Sequence, residues 1–175
     1  RFLPASLLLL FFFFSPAYSQ AVSGGEEPLS AADVKKKTAQ LKEKDTGLRL
    51  EAIGEFGKAG TAAAKKALRS ALKKEKNPHI KARLVDAVSA KQDKDSAAEL
   101  VKLAWSDPEG DVRNAAVRAL GFSKDKFVVP VLVEKFTDEK ELPGIRLQAA
   151  NSLSNFPENE VFEVFVHALD DNNAI

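Results

Sequence analysis

Few residues in this chain are placed to break or form covalent bonds. There is no cysteine, so a disulfide framework, a thiolate nucleophile and a cysteine-based metal centre are all excluded. The two histidines, His79 and His167, lie far apart in sequence and without the His-x-x-x-His spacing that puts two ligands on one helix face. No glycine-rich phosphate loop, nucleophile elbow or distinctive carboxylate pair is present. The expectation is a protein without catalytic machinery, cofactor or metal. What does recur is a different chemistry: an apolar residue followed at once by a cation, as Leu48-Arg49, Ile80-Lys81, Val112-Arg113 and Ile145-Arg146. Such pairs suit packing and charge recognition. Trp105, the single tryptophan, is read as packed at an edge between repeats, with an exposed binding contact as the alternative.

The elements that carry these pairs repeat at spacings of 32, 32 and 33 residues. With Leu48, Ile80, Val112 and Ile145 as offset 0, the cation is offset 1. Offset 4 is Ala52, Leu84, Ala116 and Ala149, and offset 8 is Phe56, Val88, Leu120 and Leu153. An apolar stripe every four residues predicts an amphipathic helix A, ending in a breaker region at Gly57, Gly121 or the Pro157 segment. A second stripe, Leu68, Leu100, Leu132 and Phe165 at offset 20 with Leu72, Ala104, Phe136 and Leu169 at offset 24, predicts a helix B packed on it. Asn77-Pro78, Asp107-Pro108-Glu109-Gly110 and Leu142-Pro143-Gly144 separate the copies. One such pair cannot bury both of its faces, so the copies must stack.

The ends have other roles. Residues 1–19, with the apolar run Leu7 to Phe14, the breaker Ser15-Pro16 and the small residues of Ala17-Tyr18-Ser19, read as a secretory signal peptide. The run is too short to span a bilayer, which needs roughly 20 apolar residues. The expectation is export to the periplasm or the extracellular space, with no stable membrane insertion after cleavage. Residues 20–29 read as a flexible linker and 30–45 as a capping helix with Ser30 as N-cap and Ala31 to Lys44 as its body. Four repeats follow, 48–79, 80–111, 112–144 and 145–175. The last six residues echo the start of a further copy, so the natural protein is expected to continue beyond Ile175. Removing Arg1 with the leader balances 25 basic against 25 acidic residues. The charge is polarised, with 15 Lys or Arg against 5 acids from Lys35 to Arg83 and 7 against 13 from Asp107 to Ile175. The basic half lacks the interleaved aromatics that stack on bases, and nucleic acid is not expected as a partner.

The string Asp107-Pro108-Glu109-Gly110-Asp111-Val112-Arg113, followed by Ala116, Ala119, Leu120 and Gly121, resembles the HEAT-repeat family, in its short form similar to the phycobilisome-lyase type. The resemblance covers Leu48 to Ile175 and departs most in repeat two, with Lys81 for Arg and Ser89 for Gly. It implies an all-α fold, a right-handed α-solenoid of stacked antiparallel helix pairs whose B helices line the concave side. It also implies a ladder in which each offset-1 cation meets an acid of the adjoining turn. Glu43 would serve Arg49, Glu75 would serve Lys81, Asp107 or Asp111 would serve Arg113, and Glu139 would serve Arg146. The function expected is an exported scaffold that binds a protein partner through the concave offset-22 residues Ser70, Lys102, Glu134 and His167. Two alternatives stand beside it. One is an accessory enzyme of bilin-lyase type, suggested by the resemblance alone and disfavoured by export. The other is the N-terminal module of a longer cell-envelope protein.

Overall fold

The computed structural model describes residues 29–89, 94–123 and 125–170, and for residues 94, 95, 164, 165 and 167–170 it describes the backbone alone. The leader, most of the linker and the start of the expected further copy lie outside these residues. Those described form α-helices: α1 (Ala31–Gln40), α2 (Thr46–Ala59), α3 (Ala62–Leu72), α4 (Pro78–Ser89), α5 (Lys94–Ser106), α6 (Gly110–Leu120), α7 (Val128–Thr137), α8 (Pro143–Leu153) and α9 (Glu158–Asp170). α2, α4, α6 and α8 are the A helices and α3, α5, α7 and α9 the B helices. Each A helix packs on the next A helix, and α3, α5 and α7 each pack on the A helix of the following repeat. This is an all-α solenoid held by contacts between neighbours.

Burial follows the repeat register. Ala52, Leu84, Ala116 and Ala149 at offset 4 are buried, as are Phe56, Val88, Leu120 and Leu153 at offset 8 and Leu68, Leu100 and Leu132 at offset 20. Offset 0 is buried in Ile80, Val112 and Ile145, whereas Leu48 is 38% exposed. Among the described residues only α1 precedes α2, and this polar helix, none of whose own residues is buried, covers only part of Leu48. Offset 5 belongs to the core as well, through Ile53, Val85 and Val117.

Local chemistry sets the helix ends. Ser30 caps α1 by accepting from the Asp33 amide at 3.1 Å, and its hydroxyl donates to Asp33 Oδ2 at 2.6 Å, which holds the Asp33 carboxyl below the usual carboxylate range. α1 stops at Gln40, short of the expected Lys44, and the chain turns into Asp45, which caps α2 by accepting from the amides of Gly47 at 2.7 Å and Leu48 at 3.1 Å. Thr61 caps α3 through the Ala64 amide at 3.2 Å. Pro78 and Pro143 open α4 and α8, where the missing amide has no helical partner to lose.

Of the two expected glycine breakers, Gly121 ends its helix and Gly57 does not. α2 runs through Gly57 and ends instead at Gly60, whose left-handed φ of 56° suits a residue without a Cβ. Gly57 faces Ala87, and a Cβ there would sit 3.4 Å from the Ala87 Cβ. Gly121 does end α6, with an ordinary right-handed φ of −60°. Its glycine is needed for approach, because a Cβ would lie 2.7 Å from the Ser152 Cβ and Oγ. Ser152 is buried there and donates to the Val117 carbonyl at 3.1 Å, so a hydroxyl is satisfied where an alanine would have sufficed.

Candidate functional site

The offset-1 cations point forward along the stack, and this corrects the ladder read from sequence. Arg49 Nη1 donates to Glu75 Oε2 at 2.7 Å, Lys81 Nζ donates to Asp107 Oδ2, and Arg113 Nη2 donates to Glu141 Oε1 at 2.8 Å. Each cation therefore meets the acid of the turn that follows its own repeat, one repeat later than expected. The reason is a second duty of the acids. Glu75 Oε1 accepts from the Lys76 and Asn77 amides at 2.9 and 2.8 Å, Asp107 Oδ1 from the Glu109 amide at 3.1 Å, and Glu141 Oε1 from the Leu142 amide at 3.0 Å. A carboxylate held by the turn before one A helix is thereby presented to the preceding A helix.

The remaining ladder candidates lie outside this arrangement. Glu43, Asp111 and Glu139 are exposed, and among the described residues none forms an ion pair. In the longest repeat the acid is Glu141, two residues after Glu139, because Leu142-Pro143 places the turn later. Arg146 donates its Nε to the Phe136 carbonyl at 3.0 Å. The residue that would serve it in a following turn lies outside the described residues.

The third rung is the most elaborate. Glu141 lies between Arg113 and Lys135, whose Nζ donates to Glu141 Oε2 at 2.9 Å. Lys135 is 3% exposed, and its Nζ sits 4.5 Å from the centroid of the Trp105 ring. Burial would raise the Glu141 carboxyl, but hydrogen bonds from Arg113, Lys135 and the Leu142 amide, with the Lys135 charge, hold it down at about 2. The hydrogen bond to Glu141 outweighs desolvation at Arg113 and raises its guanidinium. Trp105 is itself 41% exposed, so it both covers a buried cation and shows an edge to solvent. Lys135 and Glu141 were not among the residues picked from sequence. The signal for Lys135 was a lysine at offset 23, where the other copies have Ala71, Leu103 and Ala168.

Ser70 on α3, Lys102 on α5 and Glu134 on α7 are all exposed, between buried or half-buried neighbours at offsets 20 and 24. They share one register on successive B helices. His167 falls within α9, and its side chain lies outside those described. Lys102 also lines a cleft with Leu72, Lys73, Lys81, Glu99, Ser106 and Asp107. His79 is an exposed residue in the first turn of α4. Among the described residues, no group of three or more His, Asp or Glu side chains could hold a metal ion. No helix among them is long and apolar enough to cross a membrane.

No curated protein matches the chain. A family model described as HEAT repeats matches residues 34–121 and 106–175, a span that takes in α2 to α9 and the acid-cation rungs between them. With paired helices in that register, stacked on their neighbours, the chain belongs to the HEAT-repeat family.

Proposed function

We propose that this protein is an exported, non-catalytic scaffold that binds a protein partner along the face formed by its B helices. HEAT repeats are protein-interaction modules as a class. The single observation that carries the reading to a surface is the offset-22 row. Ser70, Lys102 and Glu134 are exposed on a rigid frame whose offset-20 residues Leu68, Leu100 and Leu132 are at most 1% exposed. A hydroxyl, an ammonium and a carboxylate thus occupy equivalent places, so the frame repeats while the presented chemistry varies along the stack. Trp105, at the end of α5, adds an aromatic edge beside Lys102.

The apolar run Leu7 to Phe14 and the small residues before Gln20 support export. The test joins the two parts. Protein recovered outside the cytoplasm should begin near Gln20 by N-terminal sequencing. Crosslinking in that compartment should capture a partner whose yield falls several-fold in Lys102→Glu/Glu134→Lys, with an unchanged melting temperature. A melt that drops in parallel with capture would reject the surface, and an uncleaved leader would reject export.

A further inference from the structure

The A-helix side of the first two repeats carries a groove, and the next pair of A helices is bridged at the same place. The groove has a volume of about 700 Å3, and Leu50, Ile53, Gly54 and Gly57 of α2 line it with Ala87 of α4. Gly54 occupies offset 6, where the next two repeats have Asp86 and Arg118. Between α4 and α6 those two side chains meet, with Arg118 Nη2 2.5 Å from Asp86 Oδ1. Between α2 and α4 no such pair can form, because Gly54 has no side chain to send across. The fold itself does not require that glycine. Gly54 lies inside α2 without a left-handed φ, and a Cβ there would meet no atom within 4 Å. Helix propensity favours almost any other residue at this position, so the effect of glycine is to leave the groove open.

Charge on the rim is one-sided. Lys58 and Arg83 stand there with His79, and the lining acid, Asp86, is engaged by Arg118. Arg83 is 3.9 Å from Asp86 with its side chain 60% exposed, so its charge remains presented to solvent. The acids of α2 are turned elsewhere, since Glu51 and Glu55 meet Lys37 of α1 and do not line the groove. An occupant must be apolar on one side and acidic beside it.

The positive groups are also spread along the groove. His79 lies in the first turn of α4 and Lys58 in the last turn of α2, at offsets −1 and 10, with Arg83 between them at offset 3. About 11 residues of helix span roughly 16 Å. A single-headed amphiphile such as a fatty acid needs its cation at one end of an apolar slot. A helix that carries carboxylates beside an apolar stripe needs cations along the slot's length, and its stripe places side chains into a groove at intervals of one turn. We propose that the α2/α4 groove binds an amphipathic helix of a protein partner, with a large apolar side chain in the space over Gly54 and carboxylates toward Lys58 and Arg83. A helices alone form this surface, so it is separate from the B-helix row and rests on neither the partner proposed there nor export.

The experiment pans a phage-displayed library of random peptides, about 16 residues long so that each can form some four helical turns. The library is first depleted on Gly54→Leu, whose side chain fills the groove, and then selected on the wild-type protein. Enriched peptides should carry Leu, Ile or Phe at helical spacing with Asp or Glu beside them. In fluorescence anisotropy the most enriched peptide should bind the wild type, and added salt should weaken it. Binding should fall by about tenfold or more in Gly54→Leu and in Lys58→Gln/Arg83→Gln. The B-face variant Lys102→Glu/Glu134→Lys should bind as the wild type does. Leucine at position 54 enters open space and the other substitutions lie on the surface, so melting temperatures should show every variant folded. A selection that enriches nothing after depletion, peptides without acids or helical spacing, or binding that survives Gly54→Leu would overturn the proposal. So would Gly54-dependent binding of dodecanoate without any peptide, which would make the occupant a lipid, or Gly54-dependent self-association, which would make it a second copy.

Discussion

At the scale of single residues, the acid-cation rungs determine how firmly one A helix is tied to the next turn. Glu141 is the clearest case, since its side chain is 4% exposed and faces Arg113 and Lys135 together. Replacing a buried ion pair with a well-packed apolar residue can be neutral, but removing one member strands the others. Glu141→Ala leaves two cations buried without their carboxylate and should cost about 3 to 5 kcal/mol in urea unfolding. A loss no larger than that of an exposed pair, about 1 kcal/mol or less, would show that water takes over the carboxylate's role. The same group gives the pH dependence a sign. Its carboxyl is held at about 2, below the ordinary value of 4.5, so the folded state favours the ionised form. The resulting stability is fully present above pH 4.5 and is lost as pH falls through about 2, with a total on the order of 3 kcal/mol. Acid titration of the unfolding midpoint should therefore slope less in Glu141→Gln than in the wild type over that window.

At the scale of helices, the register predicts which substitutions matter. Leu132 is 0% exposed at offset 20 of α7, and Leu132→Ala should cost about 2 to 5 kcal/mol by opening a cavity between α7 and its neighbours. Lys102→Ala, on the outward side of α5, should change stability by no more than about 0.5 kcal/mol. Equal costs would refute the register. The same comparison shows what sequence could carry. Offsets 0, 4, 8, 20 and 24 were legible because burial of one helix face forces an apolar period. The direction of the rungs was not, because an acid within six residues of Arg113 and an acid in the next turn satisfy the same pattern. Only the stack decides between the Asp107 and Glu141 carboxylates, and it pairs Arg113 with that of Glu141, leaving Arg113 Nη1 on the Asp107 and Pro108 backbone carbonyls while the Asp107 carboxylate serves Lys81. Gly57 likewise reads as a breaker in sequence, whereas in the stack it lies within α2 as a point of approach to Ala87. For Gly121, approach to Ser152 predicts that Gly121→Ala costs about 1 to 3 kcal/mol by overpacking. Adding Ser152→Gly should recover part of that cost, and purely additive losses would mean the two residues do not press on each other.

For the whole molecule, a stack in which each repeat touches only its neighbours should not be uniformly stable. Interior A helices are covered on both sides. α6 packs on α4, α5 and α8, and it buries Val112, Ala115, Ala116, Val117, Ala119 and Leu120. α1 buries none of its own residues and, among the described residues, packs mainly on α2 and α3. Its cost of ordering is therefore met mainly by half-buried contacts such as Val34, by the Ser30 cap and by the Lys37–Glu55 ion pair with α2. Local opening of α1 exposes little apolar surface, whereas opening α6 separates two inter-repeat interfaces at once. Native-state hydrogen exchange should accordingly find α6 amides the slowest and α1 amides among the fastest, with α2 between them. Val112→Ala, which removes apolar contact at the centre, should speed exchange in α4 and α8 as well as α6, because each loses support from the same neighbour. Protection of α1 equal to that of α6, or an effect of Val112→Ala confined to its own helix, would contradict a stack held by nearest-neighbour packing. Either result would require a long-range tie that these contacts do not supply.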